Sequence, residues 1–103
     1  MLYNKENLYQ EMQYSVLILD SDPAVRRSLA KELYLIDMRV FSFSNAGDAR
    51  KLLNKIIPDL IILEQNLSGQ PSAELCAELR MDQRFLWTPI FFLSSLNSLY
   101  TKL

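Results

Sequence analysis

Two apolar runs in this chain end in carboxylates. Val16-Leu17-Ile18-Leu19 leads into Asp20-Ser21-Asp22, and Leu60-Ile61-Ile62-Leu63 leads into Glu64. A third run, Ile90-Phe91-Phe92-Leu93, ends in the hydroxyls of Ser94 and Ser95. Uninterrupted apolar runs suit strands buried on both faces of a parallel sheet. Their C-terminal tips would bring Asp20, Ser21, Asp22, Glu64 and Ser94 to one edge, as an acidic pocket with hydroxyls beside it. Other chemistries are excluded by residue type. The chain has no histidine, which removes Ser-His-Asp catalysis, imidazole metal sites and imidazole acid-base work. It has only two glycines, Gly47 and Gly69, so a Gly-rich phosphate cradle is out of reach, which argues against a nucleotide-binding enzyme. The lone Cys76 cannot form an internal disulfide and reads as a small apolar residue on a helix face.

The elements that must position these groups are legible as an alternation. A strand is expected over Ser15–Asp20, followed by Asp22 as helix N-cap and Pro23 in the first helical position. Val25, Leu29 and Leu33, with Ala30 and Ile36 nearby, form the apolar stripe of that helix. Met38–Phe43 alternates apolar and polar residues and predicts a short strand. Ser44-Asn45 before Asp48, then Ala49, Leu52, Leu53 and Ile56, predict a capped second helix that Pro58 breaks. Leu60–Glu64 is the third strand, Gly69 marks a turn, and Pro71–Arg80 predicts a third helix. Its inward face is expected at Ala73, Cys76 and Ala77, with Leu75 or Leu79 joining them. Ile90–Leu93 is the fourth strand, and Leu96–Leu103 is what remains for a last helix. Residues 1–14 form an N-terminal extension, either a short amphipathic helix with Leu2, Leu8, Tyr9 and Met12 roughly on one side or a frayed end. The order β-α-β-α-β-α-β predicts a doubly wound parallel sheet with right-handed crossovers over residues 15–103.

Composition is consistent with one globular domain. Of 103 residues, 50% are hydrophobic and 22% charged, a balance that argues against disorder. The net charge is −1, and the basic residues are scattered among acids, so nucleic-acid binding by this chain alone is not expected. No apolar run approaches the ~18–20 residues of a membrane span, and the N-terminus lacks the apolar core of a signal peptide. A cytoplasmic location without membrane contact is the expectation.

Leu-Ile-Leu-Asp-Ser-Asp-Pro-Ala-Val-Arg-Arg at 17–27, Pro-Asp-Leu-Ile-Ile-Leu-Glu-Gln-Asn-Leu-Ser-Gly at 58–69 and Thr-Pro-Ile-Phe-Phe-Leu-Ser-Ser at 88–95 together resemble a response-regulator receiver (CheY-like) domain. The resemblance covers about residues 15–103, in register. It implies a flavodoxin-like fold that takes a phosphoryl group from a histidine kinase onto an aspartate, in two-component signalling. That chemistry needs an acidic pair after strand one, the acceptor aspartate after strand three, a hydroxyl after strand four, a lysine after strand five, and Mg²⁺ to relieve charge repulsion. By this resemblance Asp20 is the first acid, but Ser21 stands in place of the second, and Glu64 stands at the acceptor position. Asp22 lies one position on, as a helix cap or as compensation for Ser21. Ser94 fits the switch hydroxyl. The lysine has no match, because the chain stops before a fifth strand, and Lys102 lies on the last helix. Ser72 and Arg50 also depart from the family pattern, standing for a glycine and a leucine.

These departures imply a degenerate pseudo-receiver that is not an enzyme and does not accept phosphate in the ordinary way. Glutamate is one methylene longer than aspartate, which moves the carboxylate by over ~1 Å and spoils a near-attack geometry. No metal or cofactor is expected. If an ion binds at all, Asp20 and Glu64 are its ligands and Mg²⁺ its identity. The fixed negative charge of Glu64 either imitates a phosphoryl group in part or is simply tolerated. Without a fifth strand, Ile90-Phe91-Phe92-Leu93 becomes an unguarded apolar edge that invites protein contact. Pairing with a second copy, a fold-back of residues 1–14 where the last helix would lie, and a natural chain that continues further are three remedies, of which self-association aided by the N-terminal segment is the expectation. The competing reading is a genuine phosphoryl acceptor working through Asp20 or Asp22 in an atypical acidic site.

Overall fold

In the computed structural model, residues 13–67 and 70–93 are described. The expected helix before residue 13, the Gly69 turn, Ser94 and the last helix lie outside them. Val16, Leu17, Ile18 and Leu19 carry no polar atom beyond the backbone, and all four are fully buried in strand β1, Ser15–Leu19. Burial of consecutive residues requires a layer on each face of the strand and a neighbour on each side. Both neighbours are parallel. On one side β2 (Arg39–Phe43) pairs in the register Val16↔Val40, and on the other β3 (Leu60–Glu64) pairs with Leu17↔Ile61. A two-residue ribbon follows β3, with β4 (Asn66–Leu67) antiparallel to β5 (Gln70–Pro71). The last described strand, β6 (Ile90–Leu93), pairs with β3 in the register Ile61↔Ile90. The main sheet therefore runs β2-β1-β3-β6.

Asp22 caps helix α1 (Pro23–Leu35), its Oδ1 accepting the Ala24 N–H at 2.9 Å, with Pro23 in the first turn as expected. None of the residues of α1 is buried, so its predicted stripe at Val25, Leu29 and Leu33 is only half-covered. The turn from α1 to β2 passes through Asp37 at φ 64°, a left-handed conformation that aspartate tolerates better than most side chains. Asn45 caps α2 (Ala46–Leu53) by accepting the Asp48 N–H at 2.8 Å, while its own amide donates to the Asp48 carboxylate at 3.1 Å. The helix ends at Leu53, five residues before Pro58, so Ile56 falls outside it.

The inward face of α3 (Ser72–Arg80) differs from the expectation. Ser72, Leu75 and Leu79 are buried, whereas Ala73 and Ala77 are exposed and Cys76 is half-buried. Positions 72, 75 and 79 lie on one face at helical spacing, and it is the larger leucines that gain most from burial there. Alanine gains little either way. On that side of the sheet, Leu17, Leu19, Ile61 and Leu63 meet Ala49 and Leu53 of α2, Leu75 and Leu79 of α3, and Phe85. The connection to β6 is fixed by Arg80, whose Nη1 donates to the carbonyls of Phe85, Leu86 and Thr88 at 2.8, 3.3 and 2.7 Å.

Candidate functional site at the acidic end of the sheet

From β1 the chain passes to β2 on one side and later to β3 on the other, so the strand order reverses between β1 and β3. Groups at the C-terminal ends of those two strands face the crevice where ligands of such sheets gather. Asp20 and Glu64 occupy those ends. The strand stops at Leu19, one residue earlier than predicted, although the Asp20 N–H still reaches the Phe43 carbonyl at 3.2 Å.

Each acid already has a partner. The Glu64 carboxylate takes the Ser21 backbone N–H and the Ser21 hydroxyl on the same oxygen, Oε2, both at 2.7 Å. Asp20 Oδ1 accepts the Asp22 N–H at 2.8 Å, and the Asp22 carboxylate is committed to the start of α1. Arg26 reaches back to the Asp20 carbonyl at 2.6 Å, which places one cation beside the cluster. The structure thus brings Asp20, Ser21 and Glu64 together and sets Asp22 apart as a helix cap. Ser94 lies outside the described residues. Among the described residues, no group of three or more aspartate, glutamate or cysteine side chains is disposed to hold a metal ion.

One contributor, Ser72, was not assigned to the site from the sequence, and Ser21, which was, has a different role there. Ser72 is fully buried, and its hydroxyl donates to the Glu64 carbonyl, fixing the backbone that carries the glutamate. A serine directly after Pro71 at a helix start was the available signal, but its partner lies eight residues back, beyond local pattern. Ser21 was read only as a lost acid, whereas it is a double donor. Arg50, the other departure, forks onto Glu78 at 2.8 and 3.1 Å and reaches Gln70 at 2.7 Å, joining α2, α3 and β5 at the surface.

Asp20 is only 4% exposed, and burial is the main cause that raises its pKa. The Asp22 N–H opposes the shift, while the charges of Glu64 and Asp22 and a side-chain hydrogen bond with Glu64 add to it. Because the folded state holds this proton more tightly than the unfolded chain, the stabilisation is full below the unfolded value and is lost as pH rises through the raised folded one. Asp20→Asn should therefore gain about 1 kcal/mol of stability at neutral pH. The gain should vanish toward low pH. Urea denaturation of both proteins across that range checks it, and a loss at neutral pH would contradict it.

An open parallel sheet of this order, with helices on its flanks and carboxylates at its switch point, defines the flavodoxin-like α/β class. The family model of the response regulator receiver domain matches residues 16–102, and the chain belongs to that family. Transcriptional regulatory protein AfsQ1 of Streptomyces coelicolor is 32% identical over 83 residues, which are 81% of this chain and 36% of that protein. Histidine kinase P4 of Formosa agariphila is 28% identical over 97 residues, 94% of this chain and 7% of that one. The chain thus spans about a third or less of these relatives. Among solved structures, chemotaxis response regulator CheY4 of Vibrio cholerae superposes with a TM-score of 0.78 at 23% identity, covering 88% of this chain and 76% of that one. That likeness shows the fold. Receiver domains are signalling modules of two-component systems, and this chain is a receiver domain by family.

Proposed function

We propose that this receiver domain signals through protein contacts alone, without taking a phosphoryl group, and that it carries out no reaction. The observation that carries the reading is the Ser21–Glu64 pair. Glu64 stands where the family resemblance puts the acceptor, and its Oε2 is engaged by two donors of Ser21 at 2.7 Å. Those two bonds fix Oε2, and the extra methylene moves the other oxygen by over ~1 Å from where an acceptor aspartate would present it, which spoils a near-attack geometry. The donor set also fits Mg²⁺ poorly. That ion demands near-octahedral oxygen ligands at about 2.0–2.1 Å. Here the neutral Ser21 replaces an anion, and Asp20 Oδ1 and Glu64 Oε2 are turned to N–H and O–H donors. No cofactor is assigned to the chain.

The contact surface we assign is β6. It is the outer strand of the sheet among the described residues, with Phe91 61% and Phe92 48% exposed. An apolar outer strand with unpaired backbone groups supports pairing with another chain, here a second copy. The names of the relatives, a transcriptional regulator and a histidine kinase, agree with a role in two-component regulation at this level.

Phosphoryl chemistry is tested directly. After incubation with acetyl phosphate and Mg²⁺, the intact mass of the chain should be unchanged. An adduct with the mass of one phosphoryl group, lost on hydroxylamine treatment, would overturn the reading in favour of a working acceptor at Asp20, Asp22 or Glu64.

A further inference from the structure

At the far side of the sheet from β6, a groove of about 490 Å³ opens between α1 and β2, lined among others by Gln13, Lys31, Tyr34, Met38, Arg39 and Val40. Its walls are mostly apolar, and Tyr34 is 72% exposed. Among the described residues β2 is the other outer strand, so its edge needs cover as much as that of β6 does. Two cations, Lys31 and Arg39, stand in the wall, and neither has an ion-pair partner among the described residues.

We infer that the groove is a docking site for the chain's own first twelve residues. Three observations select this occupant. Gln13 lines the groove, and the Tyr14 carbonyl accepts the Arg39 N–H at 2.7 Å, so a segment joined to Gln13 would need no linker to reach the groove. Residues 1–12 supply apolar side chains to match the walls, namely Leu2, Leu8, Tyr9 and Met12. They also supply Glu6 and Glu11 to oppose the two cations, and Glu11 is within about 7 Å of chain from Gln13. Tethering makes the contact intramolecular, with an effective concentration in the millimolar range, so a modest affinity suffices. Seated there, the segment would cover Tyr34 and the β2 edge, leaving β6 as the open edge among the described residues. This inference stands whether or not Glu64 accepts phosphate.

The test uses the full chain, isotopically labelled, with a nitroxide at Asn7→Cys in a Cys76→Ala background. Amide signals of Ala30, Lys31, Tyr34 and Val40 should broaden, independent of protein concentration. Glu6→Lys with Glu11→Lys in the same chain should relieve that broadening about fivefold or more, the loss expected for roughly 1 kcal/mol of paired charge. The inference is overturned if those four signals stay sharp. It is equally overturned if they broaden only when a spin-labelled chain is mixed with a separately labelled one, which would make the occupant a second copy. Insensitivity to the charge reversal would also sink it.

Discussion

Ser21→Asp should destabilise the domain by about 2–4 kcal/mol at neutral pH in the absence of divalent ions. The substitution removes the hydroxyl that donates to Glu64 at 2.7 Å and sets a third carboxylate beside Glu64 and the buried Asp20. A hydrogen bond to a charged acceptor contributes roughly 1.5–3 kcal/mol. Like charges at about 4 Å add a repulsion that protonation only partly relieves. For a domain of this size each kcal/mol is about 4–8 °C in Tm, so the shift is easily read by circular dichroism. The same variant should recover part of its loss when Mg²⁺ is added, because three anionic oxygens then converge where two engaged ones stood. The wild-type Tm should not respond to Mg²⁺. A variant as stable as the wild type would mean that the Ser21–Glu64 pair does not organise this end of the sheet.

Phe91→Lys should convert a self-associating chain into a monomer while leaving the fold intact. Phe91 lies opposite Ile62 in the register, yet is 61% exposed, so the substitution gives up little internal packing. A strand pairing with β6 would have to bury the new ammonium without a partner, at a cost of about 2–5 kcal/mol, or roughly 30- to several-thousand-fold in dissociation constant. Sedimentation velocity at micromolar concentration distinguishes the two proteins. A wild type that is already monomeric there, or a variant that associates equally well, would remove β6 as the contact surface.

The fold was largely readable because β1, β3 and β6 are built on apolar runs, β2 alternates apolar and polar residues, and each of the first two helices starts on a side-chain cap. β3 and β6 have the predicted bounds, and Asp22 and Asn45 cap as expected. Misreadings arose where local pattern and tertiary demand diverge. Alanines at 73 and 77 fit an inward helical face in the sequence, but the leucines at 75 and 79 occupy it, since their larger apolar area gains more from the core. At the site, residue types could show that an acid was missing at position 21. They could not show that the serine turns toward a glutamate 43 residues away and binds it through both backbone and side chain. That pairing exists only because β1 and β3 are neighbours. Ser72 escaped for the same reason, its acceptor being a backbone carbonyl at the end of another element.

The clasp of Arg80 on three carbonyls of the loop before β6 bears on how motion travels through the molecule. With the carbonyls of Phe85, Leu86 and Thr88 gathered on one guanidinium nitrogen, the last turn of α3 and the start of β6 are mechanically one piece. Such a piece transmits displacement as a rigid lever. A push on α3 by a bound protein would be felt at the outer strand as a tilt, rather than being absorbed by a yielding loop.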